Sequence, residues 1–304
     1  MPARDARVYH CTVFPVLTTS SLRVDVGAVP AIDGLSLATT GEWVLVLGAA
    51  RALFESIAGI RAVEHGEIRV AGLGPLQAVR AGVCAAAPLD PRLPLRWSPL
   101  EYVSWSARLA GQPRDAAMSA AGEALEKLAI SPFARAKLGR ASLAVRRATV
   151  VAAALATGAP LLVVEDPGVD LPPEARGAFL RVVVRALAGR RMAFFAARVS
   201  LESPVGLAAD EAILIDDGRV ALQGAPAQIA SSEHAFSLRL AGDVRAFEEA
   251  VATRGARLLV PSNPATPTRL SLDISPLTTT DLLRIALECD AVVLELRPLA
   301  GAFA

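Results

Sequence analysis

Apolar and polar positions change period several times along the chain, and the changes outline its elements. Gly41-Glu42-Trp43 leads into Val44-Leu45-Val46-Leu47-Gly48, an aliphatic run closing on glycine that predicts a buried strand delivered into a turn. From Leu53 to Ile60 apolar residues fall at 53, 54, 57, 58 and 60, the spacing of a short helix. Gly66 to Val70 alternates polar and apolar and is followed by Gly72 and Gly74, which predicts a strand and turn of a smaller sheet. Ser98-Pro99-Leu100-Glu101 joins a capping serine, a proline at the first helical position and a glutamate three residues after the cap, so a helix is expected from there to about Gly111. A second helix begins near Asp115 and sets Met118, Ala121, Leu125 and Leu128 along one face. Residues 98–157 are therefore expected to be mainly helical.

Leu161 to Val164 is a wholly apolar strand ending in Glu165-Asp166, and Met192 to Ala196 is another, with a helical segment from Pro173 to Ala188 between them. Apolar strands joined through a helix imply a parallel sheet covered on both faces. Ala212 to Ile215 and Val220 to Leu222 flank Asp217-Gly218, the signature of a hairpin at the edge of that sheet. From about Ala235 the order becomes strand, helix, strand, strand, helix, strand, a split βαββαβ unit whose central loop is the proline-rich stretch Pro261 to Pro267.

Composition narrows the reading. With 304 residues, 53% hydrophobic and 20% charged, the chain is a folded protein of about two domains. Its 31 basic and 30 acidic side chains leave a net charge of +1, no general field for nucleic acid, and no nucleic-acid partner is expected. The uncharged run Ala148 to Val164 stops short of the ~20 residues that span a bilayer. No secretory signal is expected in the N-terminal residues, and the expected location is cytoplasmic. Three scattered cysteines and three isolated histidines have no disulfide or zinc-ligand spacing, so no metal site is expected.

Several strings in this order carry a resemblance: Ala31 to Leu37, Gly41-Glu42, Ala58-Gly59-Ile60, Gly66-Glu67-Ile68, Leu161 to Pro167, and Asp217-Gly218-Arg219 through Gly224-Ala225-Pro226. Residues 22–230 resemble the ATP-binding subunit of ABC transporters. The terminal unit, with Val293 to Pro298, resembles the extension on such subunits in export systems whose permease is a separate chain. The resemblance implies a P-loop-NTPase-like α/β domain over 21–230, with a mostly parallel sheet, an antiparallel edge sheet and the helical subdomain. It would follow an N-terminal extension, 1–20, and precede a ferredoxin-like βαββαβ domain, 235–304.

The chemistry of that family departs here position by position. Its phosphate loop, G-x-x-x-x-G-K-[ST], meets phosphates with backbone N–H groups and a lysine. Gly48 stands where the loop should begin, but Ala49 to Ser56 has neither the second glycine nor the Lys-Ser pair, and no lysine precedes Lys127. Arg51 is either a substitute phosphate ligand or an ordinary surface arginine. The acidic pair is Glu165-Asp166 where the family has Asp then Glu, so it either keeps magnesium or caps the next turn and pairs with arginines. Ser142 survives from the family's signature loop and either caps a helix or touches a γ-phosphate across a dimer. Ala86 replaces a glutamine and Arg198 a histidine; Arg198 is expected to hold the Glu165 and Asp166 carboxylates in place of a metal. Tyr102, Trp105 and Trp97 either fill the helical subdomain's core, the outcome expected from their spacing, or form a docking surface.

These departures imply a non-hydrolysing relative without nucleotide or metal. It would be a structural or regulatory partner of a permease, with a homodimer or an active ATP-binding subunit as further partners, on the inner face of the membrane. The alternative is a working ATPase that energises export with an unconventional phosphate loop and uses ATP and magnesium. A third reading makes the terminal unit a small-ligand sensor; its strings lack a charged or glycine-rich loop beyond Ser262-Asn263-Pro264, which favours packing or dimerisation.

Overall fold

The computed structural model describes residues 14–27, 29–48, 51–262 and 268–303. The chain runs through β1 (Leu17–Val26), β2 (Val29–Ala38), β3 (Trp43–Gly48), α1 (Arg51–Ile57), β4 (His65–Val70), α2 (Pro75–Arg80) and β5 (Cys84–Ala87). The helical subdomain follows as α3 (Pro99–Leu109), α4 (Arg114–Lys127) and α5 (Leu143–Ala156). The chain then returns through β6 (Leu161–Glu165), α6 (Pro173–Leu187), β7 (Arg191–Ala196), α7 (Pro204–Ala208), β8 (Glu211–Asp216), β9 (Arg219–Gly224) and α8 (Pro226–Ala230). The terminal unit is β10 (Ala235–Gly242), α9 (Val244–Thr253), β11 (Arg257–Val260), β12 (Arg269–Asp273), α10 (Thr279–Glu288) and β13 (Ala291–Pro298).

The central sheet has the order β5-β6-β7-β3-β8-β9, parallel except for the β8–β9 hairpin at its edge. Its strands are apolar throughout because both faces are covered, and their alternation divides them between two cores. Leu45, Leu47, Leu162, Val164 and Phe194 pack towards α5 and α6, while Val44, Val46, Leu161, Val163 and Phe195 pack towards α1. Phe54 of α1 meets Phe195 edge to face, ring centroids 5.6 Å apart. The expected helix through Ile60 ends early at Ile57, where Gly59 takes φ +71° and turns the chain. The hairpin turn places Asp217 at φ 46° and Gly218 at φ 75°, the left-handed pair its type I′ geometry demands.

The antiparallel edge sheet has the order β2-β1-β4. Its first strand corrects the expected N-terminal extension, since residues 17–20 already belong to β1. Leu17 is buried, and the Thr19 hydroxyl donates to the Leu35 carbonyl at 2.9 Å.

In the subdomain, Ser98 Oγ accepts from the Glu101 N–H while the Glu101 carboxylate accepts from the Ser98 N–H, the expected capping box. The expected face of α4 is corrected by one position: Met118 is exposed, and Ala117, Ala121, Ala124 and Leu125 are buried. Alanine wins because small side chains let α3, α4 and α5 pack closely. The aromatic group departs from its expected burial at one member, while Tyr102 packs against the core as expected. Trp105 is 44% exposed. It stacks edge to face on half-buried Trp97, with Tyr102 beside it.

In the terminal unit all strand pairs are antiparallel, in the order β11-β12-β10-β13, the ferredoxin-like arrangement. Leu238, Leu240, Leu270 and Leu272 form its core beneath α9 and α10. Of its central loop, residues 263–267 lie outside the described residues, including most of the expected Ser262-Asn263-Pro264 string.

Candidate functional site

Of the residues singled out in the sequence, Gly48, Glu165, Asp166 and Arg198 stand at the C-terminal ends of β3, β6 and β7, where a doubly covered parallel sheet places ligands. Gly48 closes β3 at φ +95°, and a Cβ there would lie 2.1 Å from the Ile215 carbonyl oxygen on β8. Glycine is thus required by the packing of two strand ends. Only Ala49 and Ala50, outside the described residues, separate Gly48 from α1.

Arg51 opens α1 with its side chain 70% exposed, and its Nε donates to Glu55 Oε1 at 3.1 Å, one turn along the same helix. That hydrogen bond, and then the charge of Glu165, raise the basicity of the guanidinium. Glu55 also accepts from Arg61 Nε at 2.7 Å. Its burial pushes the carboxyl up, but hydrogen bonds from Arg61 and Arg51 and their charges outweigh this and hold it below its ordinary range.

The acidic pair divides its attention. Glu165, at the end of β6, accepts from the Leu89 N–H at 2.8 Å and so ties down the segment after β5. Asp166 is 2% exposed. Its Oδ1 accepts from the Gly168 N–H at 2.8 Å, and its Oδ2 takes a 2.6 Å hydrogen bond from Arg176 Nη2 on α6. The expected partner was Arg198, and this is corrected: Arg198 is exposed beyond β7 and has no ion pair among the described residues. The short turn after Asp166 brings the first turns of α6 back over the carboxylate, which gives Arg176 the shorter reach.

Ala86 sits within β5 opposite Val163, and its methyl packs into the apolar cluster. Ser142 caps α5, its Oγ accepting from the Val145 N–H at 3.3 Å. The sequence reading missed Arg147. Its side chain is 4% exposed, its guanidinium donates to the Val169 carbonyl, and it lies 3.5 Å from Asp90 and 3.8 Å from Asp170. The available signal was the apolar course of α5 on all sides after Arg147, since a helix buried from Arg147 to Ala156 must take that arginine inside with it.

The architecture is that of the ABC transporter ATP-binding subunits, an α/β cassette with a mixed sheet, an antiparallel edge sheet and a helical subdomain. Among solved structures, cbiO1 from Clostridium perfringens, part of the ABC transporter complex cbiONQ, matches with a TM-score of 0.60 at 19% identity, over 71% of this chain and 90% of that one. An ATP-binding subunit of an ABC transporter gives 0.59 at 14% identity over 70% and 91%, respectively. MJ1267, an ATP-binding cassette of an ABC transporter, gives 0.58 at 18% identity over 70% and 92%. At these identities the likeness is one of fold. No family model matches the sequence, and no curated protein matches it significantly.

Proposed function

We propose that the chain is a non-hydrolysing component of an ABC transporter, derived from an ATP-binding subunit and serving as a structural or regulatory partner of a permease, an active ATP-binding subunit, or both. The observation that carries the reading is that Asp166, at the acidic-pair position, is already held by Arg176 and the Gly168 N–H. The remaining groups do not fit a magnesium nucleotide either. A two-residue connection after Gly48 is too short to wrap a phosphate, and Arg51 is engaged by Glu55.

The exposed Trp105, backed by Trp97 and Tyr102, offers an aromatic anchor for a permease segment on the helical subdomain. No helix among the described residues is long and apolar enough to cross a membrane, so contact with the inner membrane face would run through that permease. The βαββαβ unit supports an export system, on the resemblance of that unit alone.

A second reading, an active ATPase with an unconventional phosphate loop, draws on one observation: Arg51 stands at the start of α1 within electrostatic reach of Glu165. Calorimetry with magnesium-ATP separates the two. The non-hydrolysing reading expects no nucleotide binding that depends on Arg51. Micromolar binding that is lost in Arg51→Gln would overturn it in favour of the ATPase.

A further inference from the structure

A cavity of about 710 Å³ lies where the ends of β3, β7 and β8 meet the terminal unit. One wall is the edge of the parallel sheet, with Arg198 and the hairpin turn Asp217-Gly218. The other is the face of the terminal sheet that α9 and α10 leave uncovered. Strand alternation builds this second wall. With Leu238, Leu240, Leu270 and Leu272 committed to the core, Ser237, Arg239, Arg269 and Ser271 fall on the opposite side, joined by Glu295 and Arg297 of β13.

The register sets Arg239 directly opposite Arg269, a like-charge pair that costs a sheet stability. Arg239 is answered by Glu295 at 3.8 Å, and Glu295 also meets Arg297 at 3.0 Å. The Arg269 side chain has neither an ion pair nor a hydrogen bond among the described residues, and the same holds for the Arg198 side chain on the facing wall. Two of the cavity's three carboxylates are otherwise occupied. Asp216 accepts from the Ser271 hydroxyl, itself fully buried, and Glu295 serves the two arginines. Burial pushes the Asp217 carboxyl up, with Arg269 pulling it the other way. Two guanidiniums from two domains therefore line one cavity with their donors uncommitted.

We propose that this cavity binds a small oxyanion, a phosphate ester or a polycarboxylate, between Arg198 and Arg269, and that the ligand bridges the ATPase-like domain and the terminal unit. Guanidinium forks suit both anions through paired N–H donors. Gly48 and Arg198 of the candidate site line this cavity, but Arg51, Glu165 and Asp166 do not, so Arg51→Gln separates this inference from the ATPase reading.

The test is calorimetric titration of the full chain with inorganic pyrophosphate and with citrate, at ionic strength matched by sodium chloride. At least one anion should bind saturably. Arg198→Gln, on an exposed loop, and Arg269→Gln should each weaken it by about tenfold, the loss of a charge-assisted hydrogen bond. Asp217→Asn should tighten it, and Arg51→Gln should leave it unchanged. Pyrophosphate alone identifies the phosphate class, citrate alone the carboxylate class, and both a general oxyanion site. Absence of saturable binding by either anion overturns the proposal. So does weakening in Arg51→Gln, or a loss confined to one of the two cavity arginines.

Discussion

Replacing Arg176 by glutamine asks whether the Asp166 carboxylate is satisfied by the protein or is a vacant cation ligand. Asp166 is 2% exposed, with donors at 2.6 Å from Arg176 and 2.8 Å from the Gly168 N–H. Two unit charges about 4 Å apart attract by roughly 4 kcal/mol at an effective dielectric of about 20. The Arg176 side chain is 38% exposed, so water screens part of that attraction. What survives lies nearer the about 1.5–3 kcal/mol of a hydrogen bond to a charged group. Arg176→Gln should therefore cost about 2 kcal/mol, below the ~3–5 kcal/mol of breaking a fully buried pair. Asp166→Asn, which keeps an acceptor for Gly168, should cost about 1–2 kcal/mol. The double variant should cost less than the sum, with a coupling of about 1–2 kcal/mol, because each substitution removes the same bond. Thermal melts followed by near-ultraviolet circular dichroism would read the first change as a fall of about 4–8 °C in a domain of this size. Additive single-variant losses would refute the reasoning. So would a rise in the wild-type melting temperature with magnesium, which would make Asp166 a cation ligand.

Two further outcomes follow from the geometry. Gly48→Ala combines a left-handed φ with a Cβ 2.1 Å from the Ile215 oxygen, and should cost about 2–6 kcal/mol; an unchanged melting temperature would show that the β3–β8 junction is looser than described. Glu55, whose carboxyl is held below its ordinary value of 4.5 by Arg61 and Arg51 despite its burial, contributes stability that is present above that value and lost as pH falls through its lower folded value. Urea titrations from pH 6 to pH 3 should show Glu55→Gln with a shallower acid loss than wild type, and parallel curves would remove Glu55 from the account.

Much of the fold was legible because burial on both faces leaves an unmistakable run, as in Val44 to Leu47 and Leu161 to Val164. The α3 cap was legible for a local reason: its partners are three residues apart. The site was harder. Arg176 and Arg198 are both arginines following the acidic pair, and choosing between them requires the path of the chain from Pro167 to Pro172, which no period encodes. Met118 was misplaced because α4 admits two apolar stripes one residue apart, and packing against α3 and α5 selects the alanine stripe. The terminal unit's polar face carries no loop signal, although Ser237, Arg239, Arg269 and Ser271 are visible as simple alternation. Only the strand register reveals that two of these arginines stand opposite each other.

Arg147 has a mechanical consequence. Its single guanidinium fastens α5 to the Val169 carbonyl after β6, with Asp90 after β5 and Asp170 close by. A planar fork seated at 4% exposure gives no slack, because rotating α5 would break these attachments together. The helical block is therefore pinned to the strand ends through one buried side chain. Trimming the arginine to alanine would remove that pin.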